Sequence, residues 1–389
     1  MQQLQSKLPW VGESIFSKMS RMALEENAIN LSQGFPEFQP PPALIEAIHQ
    51  ASLAGKNQYT PMPGTPELRH AIANKELQIH GHSVNADSEI TVTPGATAGL
   101  YTAIQALVRP GDEAIIVEPA YDSYRPAIEL AGGMCVAVKY NLDDFSFPWD
   151  AFTASITSKT RLIIINTPHN PLGVVFTAAD FERLYQLIKN QNIRVISDEV
   201  YEHIVFDGQK HYSIWMHEGL RARAVKVSSF GKTFHSTGWK MGYLMAPADI
   251  TQEIRKVFQF LAFSVHSTTQ FGLAQYMNAH AEWEPSLSDF YQKKRDLFID
   301  ALGNNTAFRV MPCQGSYFAV LNYGNLSNLS DQEFAEIVTR QFKLASIPIN
   351  AFITEQPVTK LLRFCFAKND DTLLKSVEIL HRISTQYHD

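Results

Sequence analysis

Between about residues 85 and 247, apolar residues fall in short, nearly unbroken blocks separated by amphipathic stretches. EAIIVEP (113–119), RLIIINTP (161–168), IRVISDEVY (193–201) and AVKVSSF (224–230) are the clearest blocks. A strand with one face in water alternates apolar with polar, whereas a strand covered on both faces does not. The blocks therefore predict a mostly parallel sheet with helices on both sides, an α/β architecture. ITVTPGATAGLYTAIQALV (90–108) adds a short strand, a turn of small residues and an amphipathic helix. The texture changes after a helical stretch that runs from Glu284 to Asp296. There YFAVLNY (317–323), ASIPINAF (345–352) and LLRFCFA (361–367) predict a smaller α+β domain ending in a helix. Residues 1–40 end at the proline cluster Pro40–Pro42 and are expected to be an arm linked to the small domain. The expected division is 1–40 arm, 41–283 large domain and 284–389 small domain.

Composition narrows the function without naming it. The chain has 389 residues, 45% of them apolar and 19% charged, which suits a globular protein with a large core. A net charge of −6 gives no basic face for nucleic acid or an anionic membrane. No apolar run approaches the roughly 18 residues of a membrane span. Cys135, Cys313 and Cys365 are far apart and odd in number, so they form neither a disulfide framework nor a zinc pattern. With no signal-like segment in MQQLQSKLPWVGES, a cytoplasmic location is expected. Among the histidines, His80 and His82 flank Gly81 in a polar stretch and are expected in a solvated loop. His203 lacks His-Glu-x-x-His spacing, and no metal site is expected.

In open α/β sheets, ligands collect at the carboxyl ends of the strands. Tyr121 follows the first block, Asn170 the second, Asp198 and Tyr201 the third, and Ser229 and Lys232 the fourth. Pro94–Gly95–Ala96–Thr97 opens the helix of 90–108, and a small-residue turn at a helix N-terminus exposes N–H groups that suit phosphate. It is neither a P-loop nor a Gly-x-Gly-x-x-Gly turn. Pyridoxal phosphate requires this assortment. Its aldehyde takes a lysine, its pyridine nitrogen a carboxylate, its ring an aromatic face and its phosphate a cradle. In SSFGKTFHSTGWKMGY (228–243), Lys232 stands in a small-residue loop, and a second cation nearby favours its neutral, nucleophilic form.

The chain resembles the class I aminotransferases of the fold-type-I pyridoxal-phosphate superfamily, nearest the branch of methionine and kynurenine aminotransferases, the latter including glutamine transaminase K. The resemblance is carried by NLSQGFPEF (30–38), NQYT (57–60), PGATAGLY (94–101), EPAYDSY (118–124), NTPHNPLG (166–173), SDEVYEH (197–203), the Lys232 stretch and LRFCFAK (362–368). It implies a large domain built on a seven-stranded sheet and a homodimer with shared active sites. It implies that Lys232 forms the Schiff base and shuttles a proton, and that Asp198 pairs with the pyridine nitrogen. Tyr201 and Asn170 would bond the 3-oxygen, and Tyr121 would stack on the ring. Ala96, Thr97, Ser229 and Lys240 would hold the phosphate, with Tyr59 reaching it from the neighbouring subunit. Lys240 stands where family members often carry arginine, so the charge is kept without the bidentate fork.

Arg363 is implied as the clamp on the substrate carboxylate, assisted by Asn170 and the backbone of Gly34. A second arginine for a side-chain carboxylate is not evident. Phe16, Tyr59 and the partner's Phe263 would line an aromatic pocket, which suits methionine or aromatic substrates and disfavours aspartate. The expected reaction is ping-pong transamination to an α-keto acid. A kynurenine or glutamine transaminase with cysteine-S-conjugate β-lyase activity shares every one of these residues. A transcriptional regulator would need an added DNA-binding domain, and a nicotinamide dehydrogenase would need the missing dinucleotide turn.

Overall fold

In the computed structural model, residues 5–303, 306–354 and 359–386 are described. Seven strands form the central sheet: β1 (Ile90–Thr93), β2 (Glu113–Glu118), β3 (Met134–Lys139), β4 (Thr160–Asn166), β5 (Arg194–Asp198), β6 (Ala224–Ser229) and β7 (Gly242–Met245). Their order is β1-β7-β6-β5-β4-β2-β3, and only β7 runs antiparallel to its neighbours. The apolar blocks are explained by two cores, one on each face. In β4, Ile163 and Ile165 pack into one cluster with Phe181 and Leu184, while Leu162 and Ile164 pack into another with Leu100 and Ile104. Successive strand residues point to opposite faces, so both sets must be apolar.

Four further strands form the smaller sheet: β8 (Arg309–Val310), β9 (Phe318–Asn322), β10 (Ile347–Pro348) and β11 (Leu361–Cys365), in the order β10-β11-β9-β8. A 20-residue helix, Trp283–Leu302, leads into this region, and the helix Asp370–Gln386 closes it. In the arm, Ser14 caps the helix Ile15–Glu25, which buries Met19 and Met22 in the same cluster as Phe318, Phe364 and Leu380. Ile29–Asn30 then pairs in parallel with Leu344–Ala345. The arm is thus tied to the small sheet, and it carries Phe16 and Gly34 toward the gap between the two sheets. Among the described residues, no helix is long and apolar enough to cross a membrane.

One expectation fails here. His80 is not a solvated loop residue. It closes the helix Pro66–His80, is 7% exposed, and lies 3.5 Å from a Glu202 oxygen. Gly81 ends that helix in the left-handed region at φ 72°, which is why the stretch looks like a loop in sequence. His82 sits beyond the turn, 3.2 Å from an Arg221 nitrogen.

Candidate active site

The carboxyl ends of β4, β5 and β6 meet the arm and β11 around a cavity of about 250 Å³. Its wall includes Phe16, Gly34, Ala96, Thr97, Tyr121, Asn170, Asp198, Tyr201, Ser229, Lys232, Lys240 and Arg363. Twelve of the fourteen expected site residues therefore converge. Tyr59 and Phe263 do not reach this cavity within one chain. They sit on the outside, with ring centroids 4.9 Å apart, and Tyr59 is 81% exposed.

Lys232 follows β6 on the short helix Phe230–Thr233. Its Nζ donates to the Gly34 carbonyl at 2.9 Å and to the Tyr317 hydroxyl at 2.9 Å. Burial pushes its ammonium down to about 8. Cys365 and Asp198 pull upward, while the positive charges of Arg363 and Lys240 push further down. A lysine so placed has a large neutral fraction near pH 8 and can act as a nucleophile and proton carrier.

Asp198 ends β5, opposite Asn166 at the end of β4. It is buried, and its bonds come from the Tyr124 hydroxyl at 2.6 Å and the Val200 N–H at 3.3 Å. Burial pushes its carboxyl up to about 6, against the pull of those two bonds. A buried carboxylate facing a cavity, with no ion-pairing cation among the described residues, suits a ring N–H⁺. Asn166 bridges the floor of the site. Its amide donates to the Asp198 carbonyl at 2.9 Å, and its Oδ1 accepts the Asn170 N–H at 2.7 Å.

One end of the cavity is built on the helix Ala96–Leu107. Gly95 precedes it with φ 83°, and no side chain caps its N-terminus. A Cβ on Gly95 would lie 3.2 Å from Lys240 Cε and 3.4 Å from its Nζ, so the lysine lies against the turn. Thr97 and Tyr121 share a hydrogen bond of 3.1 Å. Uncapped N–H groups, two hydroxyls and an ammonium in one corner make an anion site.

Arg363 lies mid-strand in β11, between Val320 and Ile347, and is 1% exposed. Its Nη1 donates to Asn170 Oδ1 and its Nη2 to the Ser32 carbonyl, both at 2.7 Å. The guanidinium lies 4.0 Å from the Phe318 ring centroid and 5.4 Å from that of Phe16. Burial pushes it down to about 10. Among the described residues its Nε has no hydrogen-bond partner and no carboxylate pairs with it. The Gly34 carbonyl is already bonded to Lys232 and Tyr317. Only the N–H of Gly34 could assist a carboxylate, because a carbonyl oxygen repels one.

Three contributors escape the sequence reading. Asn166 was the polar end of an apolar block. Tyr124 is the second tyrosine of EPAYDSY, three residues from Tyr121, and only the turn decides which ring faces the cavity and which bonds Asp198. Tyr317 opens YFAVLNY and has the look of a core aromatic. Nothing in the local pattern marks any of them.

Comparison with known proteins assigns this geometry to a family. The model for aminotransferases of class I and II matches residues 26–380. The methionine aminotransferase of Escherichia coli is 48% identical over 97% of this chain and 98% of its own length. The kynurenine–oxoglutarate transaminase of Dictyostelium discoideum is 32% identical, over 96% of this chain and 94% of its own length. A crystal structure from Escherichia coli, reported with a methionine aminotransferase function, superposes with a TM-score of 0.96 at 48% identity, covering 98% of this chain and 99% of that one. The Lys232, Asp198 and helix N-terminus arrangement fits pyridoxal 5′-phosphate, the cofactor of this family and of its fold type I. The chain belongs to the class I and II aminotransferases.

Proposed function

We propose that this aminotransferase takes the amino group from methionine or an aromatic amino acid and passes it to an α-keto acid. The observation that carries the reading is Arg363, a buried guanidinium without a carboxylate partner among the described residues, facing the same cavity as Lys232 and Asp198. An α-carboxylate is the natural counterion, and planar bidentate pairing suits it. The wall also has apolar stretches, with Phe16, Leu100, Val200, Met241 and Phe318, beside the polar Gln33 and Thr237. Among the described residues lining it there is no second arginine, so a charged aspartate side chain would be left unpaired within one chain.

Pyridoxal phosphate, when bound, supplies an aldehyde for the amine and a pyridinium ring that accepts the electron pair left at the substrate α-carbon. Lys232 would hold that aldehyde carbon through Nζ and, once displaced by substrate, carry the α-proton on the same nitrogen. Asp198 would keep the ring nitrogen protonated. Asn170 and Tyr201 would bond the ring oxygen, with Tyr121 against the ring face. Ala96, Thr97, Ser229 and Lys240 would hold the phosphate. Phe16 and Phe318 cover Arg363 and exclude water, which strengthens the carboxylate clamp. A positioned base contributes about 10²–10⁴-fold, and the cofactor carries much of the remainder.

We further propose a homodimer in which the partner contributes the Tyr59 and Phe263 faces, a reducing compartment suited to three separate thiols, and the 1–40, 41–283 and 284–389 division. The deciding experiment mixes cofactor-saturated protein with L-methionine and no acceptor. One equivalent of the corresponding keto acid per site is expected, with loss of the yellow absorbance. No keto acid from methionine, phenylalanine or tyrosine would overturn the substrate reading. Pyruvate and ammonia from a cysteine conjugate would favour β-elimination instead.

A further inference from the structure

Behind Lys232 stands a hydroxyl with no task so far. Tyr317 is fully buried just before β9, and its ring packs edge-on against Tyr201 at 5.0 Å and Phe318 at 4.9 Å. Its oxygen lies 2.6 Å from the Gly34 carbonyl oxygen and 2.9 Å from Lys232 Nζ. A carbonyl oxygen only accepts, so the single phenolic proton goes to Gly34. Toward Lys232 the phenol then offers a lone pair and has no proton to give. A neutral primary amine has two N–H bonds and one lone pair. Both N–H bonds have acceptors at 2.9 Å, one in the Gly34 carbonyl and one in Tyr317. The lone pair takes the remaining tetrahedral position.

We propose that Tyr317 is a positioning residue for the reaction: its hydroxyl accepts one Lys232 N–H and, because its own proton is committed to Gly34, it leaves the lysine lone pair uncapped. This rests on the role given to Lys232 above. The arrangement selects one rotamer of a long, flexible side chain, and the lysine must return to it after each displacement. The charged form gains more from an acceptor than the neutral form does. Loss of the hydroxyl therefore lowers the ammonium's affinity for its proton. The other groups facing Nζ are Arg363 and Cys365 from β11, Lys240, Asp198 and Tyr201, and all remain in place.

The test compares Tyr317→Phe with Tyr291→Phe. Tyr291 is a buried neighbour whose ring centroid lies 5.7 Å from that of Tyr317, and its hydroxyl has no partner among the described residues. Cofactor-free protein is treated with trinitrobenzenesulfonate between pH 6 and 10, and labelling at Lys232 is followed by peptide mass spectrometry. Tyr317→Phe is expected to move the labelling midpoint to lower pH by roughly one unit. In the loaded enzyme it should lower kcat about tenfold and leave KM within about twofold, the pattern of a contact that matters in the transition state. Tyr291→Phe should change neither. An unchanged midpoint in Tyr317→Phe, or the same shift in Tyr291→Phe, would overturn the proposal. A shifted midpoint in a protein that does not turn over methionine would leave Tyr317 in its role and remove the substrate assignment alone.

Discussion

At the scale of the residue, the site depends on charges held without their usual partners. Arg363 donates to two neutral oxygens, and its two-pronged shape lets it span Asn170 and Ser32 while still facing the cavity. Arg363→Lys keeps the charge and loses the fork. A charge-assisted hydrogen bond contributes about 1.5–3 kcal/mol, so kcat/KM for methionine should fall roughly ten- to a hundredfold, mainly through KM. Unchanged kcat/KM would return Arg363 to a structural role. Asp198 gives a prediction with a definite sign. Its folded pKa of about 6 lies above its ordinary 3.8, so ionisation costs folding stability. The cost starts as pH rises through about 4 and is complete above about 6, amounting to about 3 kcal/mol. In the cofactor-free protein, Asp198→Asn should raise the urea midpoint at pH 8 and change it little at pH 4, while weakening cofactor binding. A gain that is equal at both pH values would show that the carboxyl charge is not its source. Neither property could be read from Asp198 or Arg363 in sequence, because burial is supplied by chain segments far away.

At the scale of the element, β6 shows how one strand serves two purposes. Val225 and Val227 face the core that contains Leu100 and Ile254. Lys226 and Ser228, on the other face, meet the helix Pro66–His80 and the turn after β5. Lys226 Nζ donates to both Glu76 oxygens at 2.9 and 3.0 Å and to Glu202 at 2.8 Å. Ser228 donates to Glu202 at 2.6 Å, and Lys75 lies 2.8 Å from Glu76 and 3.1 Å from Glu202. Burial opposes every one of these charges. The mutual attraction is larger, holding Glu202 well below and both ammoniums above their usual ranges. Glu76, His80 and Glu202 bring ligating atoms within 4.8 Å of one another, and Lys226 supplies the cation there. The network fixes the segment from Asp198 to Glu202 and the end of β6 that leads to Lys232. Lys226→Met leaves two buried carboxylates sharing Lys75 and should cost about 3–5 kcal/mol in urea unfolding. Adding Glu202→Gln should recover part of that loss. A loss below about 1 kcal/mol would mean that the network is not structural. The apolar block of β6 was legible; the buried ion pairs of the lysine inside it, with a partner 150 residues earlier, were not.

At the scale of the whole molecule, a patch of aromatics remains outside. Phe260 is 92% exposed, beside Leu261 and Phe263 in the same segment, and the Tyr59 ring packs tilted against Phe263. A contiguous apolar patch of this kind marks an association surface. Under the proposed homodimer, Phe260→Asp with Phe263→Asp should give a monomer by light scattering and a large loss of cofactor affinity. A dimer of unchanged mass and activity would remove this face from the interface.

The division between what was written locally and what required the fold follows the range of the forces. Apolar blocks, turns of small residues and helix starts depend on neighbours within a few positions, so the parallel sheet, the small-residue turn into a helix at Gly95–Thr97 and the lysine after β6 were all legible. The motifs placed Lys232, Asp198, Asn170 and Arg363 without any contact being known. Burial and hydrogen bonding depend on what another segment brings. The tertiary structure alone decided that His80 is buried, that Tyr124 bonds Asp198 while Tyr121 faces the cavity, and that Arg363 meets no carboxylate among the described residues. It alone decided that Lys232 is met by Tyr317 across 85 residues of chain. Local pattern fixes which groups can be presented at a sheet edge; long-range packing fixes their charge, their direction and their partners.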